Sequence, residues 1–134
     1  MKKIVKLIVT LAVFSMVLPV AAQEIRTVGK DGSIIINTTE IGKDFIGHHA
    51  TTPVEIVVNN NKITRIKALP SDETPSFYEK AVTLLQSFVG MTVKEASEAE
   101  VDAVTGCTMS SIALIQNVKE GLKHVKPSSG NTTE

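Results

Sequence analysis

The chain has 134 residues, with 14 basic and 14 acidic side chains, three histidines and one cysteine. This balance does not favour a nucleic-acid or anionic-membrane partner, and one cysteine alone excludes an internal disulfide. Stability must therefore come from packing, and the length is enough for one modest core.

Residues 1–22 read as a signal peptide. Lys2, Lys3 and Lys6 form a basic start, an apolar run extends from Ile4 past Leu18, and Pro19 ends it. Val20-Ala21-Ala22 then sets small side chains before Gln23, the pattern of cleavage after Ala22. An uncleaved anchor is the alternative, because the run approaches the lower limit for a spanning helix. Loss of the three lysines leaves 11 basic and 14 acidic side chains, a net charge of about −3. The remainder divides into one domain, residues 23–126, and a polar tail, residues 127–134, expected to be disordered.

Ile25 to Val28 and Ser33 to Thr38 predict short strands around the turn Gly29-Lys30-Asp31-Gly32. Residues 42–52 are loop-like and contain Gly47-His48-His49. Val54, Ile56 and Val58 alternate with more polar positions in a third strand. The turn Asn59-Asn60-Asn61 leads into a partner strand from Ile63 to Leu69, with Arg65 and Lys67 on one face and Thr64, Ile66 and Ala68 on the other. The period then changes. Phe77, Ala81, Leu84, Leu85 and Phe88 recur at helical spacing and predict a core-facing helix. Its start is either a capping box of Ser76 and Glu79 or Thr74 followed by Pro75, and Gly90 ends it. Met91 to Val101 reads as a linking region with a solvated charged face. A second helix follows Thr108, with Leu114 or Ile115, Val118, Leu122 and Val125 as its apolar stripe and Gly121 allowing close packing. Together these predict an α+β fold: a small mixed sheet with a β hairpin packed against two helices.

The segment from Asp102 to Ser111 concentrates the chemistry. Gly106 precedes a helix start, and Thr105, Thr108, Ser110 and Ser111 offer hydroxyls. First-turn N–H groups lack internal partners and form a natural phosphate site; an ordinary N-cap by Thr105 or Thr108 is the alternative. The chain has no dinucleotide fingerprint, P-loop or nucleophile elbow. His48, His49 and His124 are conceivable partners for Cys107, but no spacing fixes them, and His48-His49 lacks a clear third metal ligand.

Asp102-Ala103-Val104-Thr105-Gly106-Cys107-Thr108 resembles the attachment motif of the FMN-binding domain family, which includes the FMN-bearing subunits of sodium-translocating NADH:quinone reductase and of the Rnf complex. Gly47, the hairpin from Val54 to Leu69 and Glu73-Thr74-Pro75 are similar to further family features, so the resemblance spans Gly42 to Lys126. It implies FMN joined through its phosphate to the Thr108 oxygen, with Gly106 as the close-approach residue, Asp102 as the motif aspartate and Thr105 before the glycine. A flavin transferase using FAD and Mg²⁺ is implied as the attaching partner. Glu73 and Thr74 are implied near the ribityl chain or ring, with His48, His49 and Leu69 as further ring candidates. Two positions depart from the pattern. Cys107 stands where the family has Ala, a small-for-small exchange whose thiolate would face repulsion from the flavin phosphate. Ser76 stands where Gly usually follows Glu-Thr-Pro.

The resulting expectation is an exported electron-transfer flavodomain in the periplasm or on the extracytoplasmic face of the membrane. It exchanges electrons with a redox partner in the membrane or cell envelope, and no catalytic residue or bound metal is expected. A reductase of a small extracytoplasmic acceptor and a domain without flavin are the alternatives. N-terminal sequencing of the exported protein should begin at Gln23 or its cyclised form; retention of Met1 in a membrane fraction would contradict cleavage.

Overall fold

The computed structural model describes residues 24–126. Residues 1–22, read above as a signal peptide, and residues 127–134, read as a polar tail, lie outside the described residues. Four strands, β1 (Arg26–Val28), β2 (Ile34–Asn37), β3 (Val54–Asn59) and β4 (Lys62–Ala68), pair in the order β1-β2-β3-β4. The expected α+β architecture is present, but the sheet is antiparallel throughout rather than mixed. The reason is topological. A parallel neighbour needs a long crossover, whereas here the strands follow one another directly and the helices come after them in the chain.

The β3–β4 hairpin has the geometry its asparagines favour. Asn60 and Asn61 adopt φ values of 52° and 66°, as a two-residue turn matching the strand twist requires. Val54, Ile56 and Val58 are buried as their alternation predicts. Simple alternation fails in β4. Ile63 pairs with Val58 and Arg65 with Val57, so Thr64 is an extra residue, a β-bulge. The bulge turns Ile63 as well as Ile66 into the core and leaves Thr64 exposed with Arg65 and Lys67.

The helices cover one face of this sheet. Helix α1 (Pro75–Val82) starts at Thr74 with Pro75 in the first turn, the second of the two expected starts. It tightens into a 3-10 segment, Thr83–Phe88. Ala81, Leu84, Leu85 and Phe88 are buried, but Phe77 is 50% exposed and does not belong to the core. Met91 to Val101 is not merely a link, because it contains helix α2 (Val93–Glu98). Thr92 accepts from the Glu95 N–H, and the Glu95 side chain accepts from the Thr92 N–H; this capping box was legible as Thr-x-x-Glu. Helix α3 (Thr108–Leu122) packs its stripe of Leu114, Val118 and Leu122 on the sheet. A Cβ on Gly121 would lie 2.8 Å from Ile56 Cδ1 and 2.9 Å from Thr38 Cγ2, so the close approach expected of this glycine is real.

Between α3 and the sheet lies a buried polar triad. Thr38 Oγ1 donates to Asn117 Oδ1 at 2.7 Å, and Asn117 Nδ2 donates to Thr52 Oγ1 and the Ala113 carbonyl, each at 3.0 Å. Thr38 Oγ1 also accepts from the Val54 N–H at 2.9 Å. Asn117 thus ties both ends of the β2–β3 connection to α3, and satisfied partners make such burial tolerable. Asn117→Ala should lower unfolding free energy by about 2–4 kcal/mol, since it strands both threonines and opens a cavity. Urea denaturation measures it; a loss below about 0.5 kcal/mol, typical of a surface change, would show that the triad is dispensable.

Candidate functional site

Helix α3 begins on a chain segment folded back on itself. The Cys107 N–H donates to the Val104 carbonyl at 3.0 Å, and the Ser111 hydroxyl donates to the Cys107 carbonyl at 2.8 Å. That same hydroxyl accepts from the Val104 N–H at 3.0 Å. The turn passes through Gly106 at φ 89°, a left-handed conformation that suits glycine. Farther back, Lys119 Nζ holds the carbonyls of Ser97 and Ala99, at 3.1 and 2.5 Å. Cys107 is the N-cap and makes no side-chain cap, so neither Thr105 nor Thr108 caps this helix. The first bond of the ladder runs from the Ser111 N–H to the Cys107 carbonyl. The N–H groups of Thr108, Met109 and Ser110 consequently have no acceptor within the described residues.

A second wall faces this helix start. The loop before β3 closes through an Ile46–Thr51 bridge and a 2.8 Å bond from the Gly47 N–H to the Ala50 carbonyl. Glu73, only 4% exposed, sits beneath it. Its Oε1 accepts from the His48 N–H at 3.0 Å, and its Oε2 from the N–H groups of His49 and Ala50 at 2.5 and 2.6 Å. The Ser110 hydroxyl donates to Oε1 as well. Gly47 is required by crowding: a Cβ there would stand 2.8 Å from Glu73 Oε1 and 3.2 Å from Ser110 Cα. Burial by itself would push the Glu73 carboxyl up, but the hydrogen bonds from Ser110, His49, Ala50 and His48 together hold it below its ordinary value.

Between the walls lies a cleft of about 320 Å³, at the lower end of the roughly 300–1,000 Å³ typical of ligand pockets. His48, Phe77 and residues 106–110 line it. Phe77 and Met109 are 50% and 58% exposed, apolar surface that a flat ring could cover. The lining contains no Asp or Glu. The uncommitted N–H groups suit a phosphate and the apolar walls suit an aromatic ring, so the cleft fits FMN.

The expected site residues separate into groups. Gly106, Cys107 and Thr108 come together in the cleft, with Thr108 exposed and Cys107 6% exposed. Glu73 lies under the cleft as a brace, with both oxygens occupied. Thr74 is the N-cap of α1 and Thr105 is exposed outside the lining. Asp102 lies elsewhere, in a second depression with Thr83, Ser87 and Met91 among its lining. Glu100 joins it there, and two carboxylates without a cation disfavour an anionic ligand. Of the three ring candidates only His48 lines the cleft; His49 and Leu69 do not. Sequence reasoning missed Phe77 and Met109. Phe77 opens the apolar series before the helix reaches the sheet, and Met109 lies off the α3 stripe; that off-stripe position was the available signal.

A model of the FMN-binding domain family matches residues 47–123, more than half of the chain. The match begins at Gly47 on one wall of the cleft and runs through the whole of α3. Neither the curated proteins nor the solved structures contain a match.

The Glu73 brace makes a stability prediction. Glu73→Ala removes the acceptor of three N–H groups and one hydroxyl, and should cost about 3 kcal/mol. Because the folded carboxyl titrates below the ordinary value of 4.5, its stabilisation is fully present above that value and drains away as pH falls through the lower folded one. Unfolding free energies measured from neutral to acid pH should therefore show wild type and Glu73→Gln converging at the acid end. A difference that stays constant would refute the linkage.

Proposed function

Because the chain belongs to the FMN-binding domain family, we propose that it is an exported electron-transfer domain carrying FMN as a phosphoester on Thr108. The observation that carries this reading is the distribution of hydroxyls around the α3 start. Ser110 is committed to Glu73, and Ser111 to Cys107 and Val104. Thr105 stands outside the cleft lining, whereas Thr108 is exposed within it and adjoins the uncommitted N–H groups. Thr108 is thus the hydroxyl free to be modified where a phosphate gains hydrogen bonds and the helix dipole.

FMN supplies one- and two-electron chemistry, and the protein supplies placement and tuning. In this reading the N–H groups of residues 108–110 hold the phosphate. Phe77 and Met109 present apolar surface to the ring, while Glu73 keeps the His48 wall at a fixed distance from α3. Export to the periplasm or the extracytoplasmic face agrees with the signal segment. A covalent bond keeps FMN on a domain working outside the cytoplasm, where free cofactor would diffuse away. A Mg²⁺-dependent flavin transferase makes that bond, and a redox partner in the membrane or envelope exchanges the electrons.

Asp102 acts in this scheme through recognition by the transferase. Its carboxylate makes no hydrogen bond or ion pair among the described residues, so it contributes little to local geometry.

After co-expression with the transferase and Mg²⁺, peptide mass mapping should find an FMN-minus-water increment on the peptide and residue of Thr108. Thr108→Ala should abolish it, and Thr108→Ser should retain part of it. Asp102→Ala should reduce attachment while changing stability by no more than about 0.5 kcal/mol, as expected for a surface substitution. Cys107→Ala should keep both attachment and reversible flavin reduction. An increment on Thr105, or a chain left unmodified under conditions that flavinylate a related domain, would defeat the assignment.

A further inference from the structure

The cleft lining contains no Lys, Arg, Asp or Glu. This creates an electrostatic problem for a redox cofactor. Two electrons with one proton leave a flavin ring with a negative charge, and the phosphoester already carries another. In a partly desolvated cleft such charges call for compensation. Backbone N–H groups at the α3 start answer the phosphate, but no fixed cation lines the cleft to answer the ring.

His48 carries the one imidazole of the lining, a group that can gain positive charge by taking up a proton. Its backbone is held by the 3.0 Å bond to Glu73, so the residue is fixed at the wall while its side chain remains exposed. Neither ring nitrogen of His48 makes a hydrogen bond or ion pair among the described residues. The surrounding titratable groups do not substitute for it. His49 meets the His48 ring at 4.3 Å between centroids but is not part of the lining. Glu73 is anionic and fully engaged. Tyr78, near Glu73, stays protonated because burial first, and the Glu73 charge second, push its pKa up to about 12. Cys107 lines the opposite wall, and its ionisation would add charge of the wrong sign.

We propose that His48 is the charge-compensating residue of the cleft, taking up a proton as the bound FMN is reduced. The proposal rests on the reading of Thr108 as the attachment site. The balance is simple. A donor outside the domain, an electrode in the test, delivers two electrons. The ring takes one proton from water and the His48 imidazole takes a second. The pair gains two electrons and two protons, and its net charge does not change. A proton taken up by His48 thereby makes the flavin easier to reduce at lower pH.

The test is spectroelectrochemical titration of the flavinylated protein between about pH 5 and 8, where histidine charge changes occur. The slope of midpoint potential against pH counts protons taken up per electron pair. Wild type should take up as much as one proton more than His48→Gln within this range. The His48→Gln potential should lie below wild type at the acid end and converge with it at the alkaline end. His48→Lys should keep a raised potential with the lower proton count, and His49→Gln should behave as wild type. An NMR titration of the His48 imidazole should show a higher pKa in reduced than in oxidised protein. Flavin on Thr108 with superimposable wild-type and His48→Gln profiles would overturn the role of His48 alone. Absence of flavin from Thr108, read by mass before the titration, would overturn both readings.

Discussion

Glu73 brings a formal charge to a position only 4% exposed, and an ion there is tolerable only when its lone pairs are taken up. Three N–H groups of one loop and the hydroxyl of Ser110 do so. The same bonds that satisfy the charge fix the loop to the first turn of α3, because their donors come from both. Gly47 is the steric counterpart of this arrangement: the loop can reach the carboxylate only where no side chain intervenes. The shape of the cleft therefore follows from a local requirement for hydrogen-bond satisfaction, and His48 inherits its position from its own N–H.

Much of the sheet was legible because its signals are local. Alternation in β3 and the asparagine pair after it need no knowledge of distant residues. The β4 bulge was not legible, since Thr64 becomes the extra residue only through register with Val57 and Val58. Helix α2 could have been found from Thr92 and Glu95, whose spacing is a capping signal in its own right. Phe77 fits the helical period, yet period alone cannot say where along its length a helix leaves the sheet. At the site, Gly106, Cys107 and Thr108 were readable because they are contiguous. The bracing role of Glu73 was not, because its partners lie 23 to 37 positions away in the chain.

The segment between α2 and α3 divides two different surroundings. On one side is the cleft without carboxylates; on the other, Asp102 and Glu100 face a depression that an anion would avoid. Lys119 grips the last turn of α2 and the beginning of the segment through one carbonyl each, and the Ser111 hydroxyl secures the segment's end. A short stretch of chain thus keeps its acidic and phosphate-compatible parts apart although they are close in sequence. Just beyond the opposite end of α3, Arg26 Nε donates to the Val125 carbonyl at 2.9 Å, joining the first strand to the turn that follows the helix. With the Asn117 triad in between, α3 is held along its length by polar contacts as well as by its apolar stripe.

The cleft is assembled from residue 48, residue 77 and residues 106–110, three stretches that synthesis delivers at different times. The strands are neighbours in sequence and can pair without the last helix, but the cleft does not exist until that helix has docked. An emerging or misfolded chain carries the whole threonine motif and yet lacks the opposite wall. Any ligand that needs both walls of the cleft is therefore restricted to finished molecules.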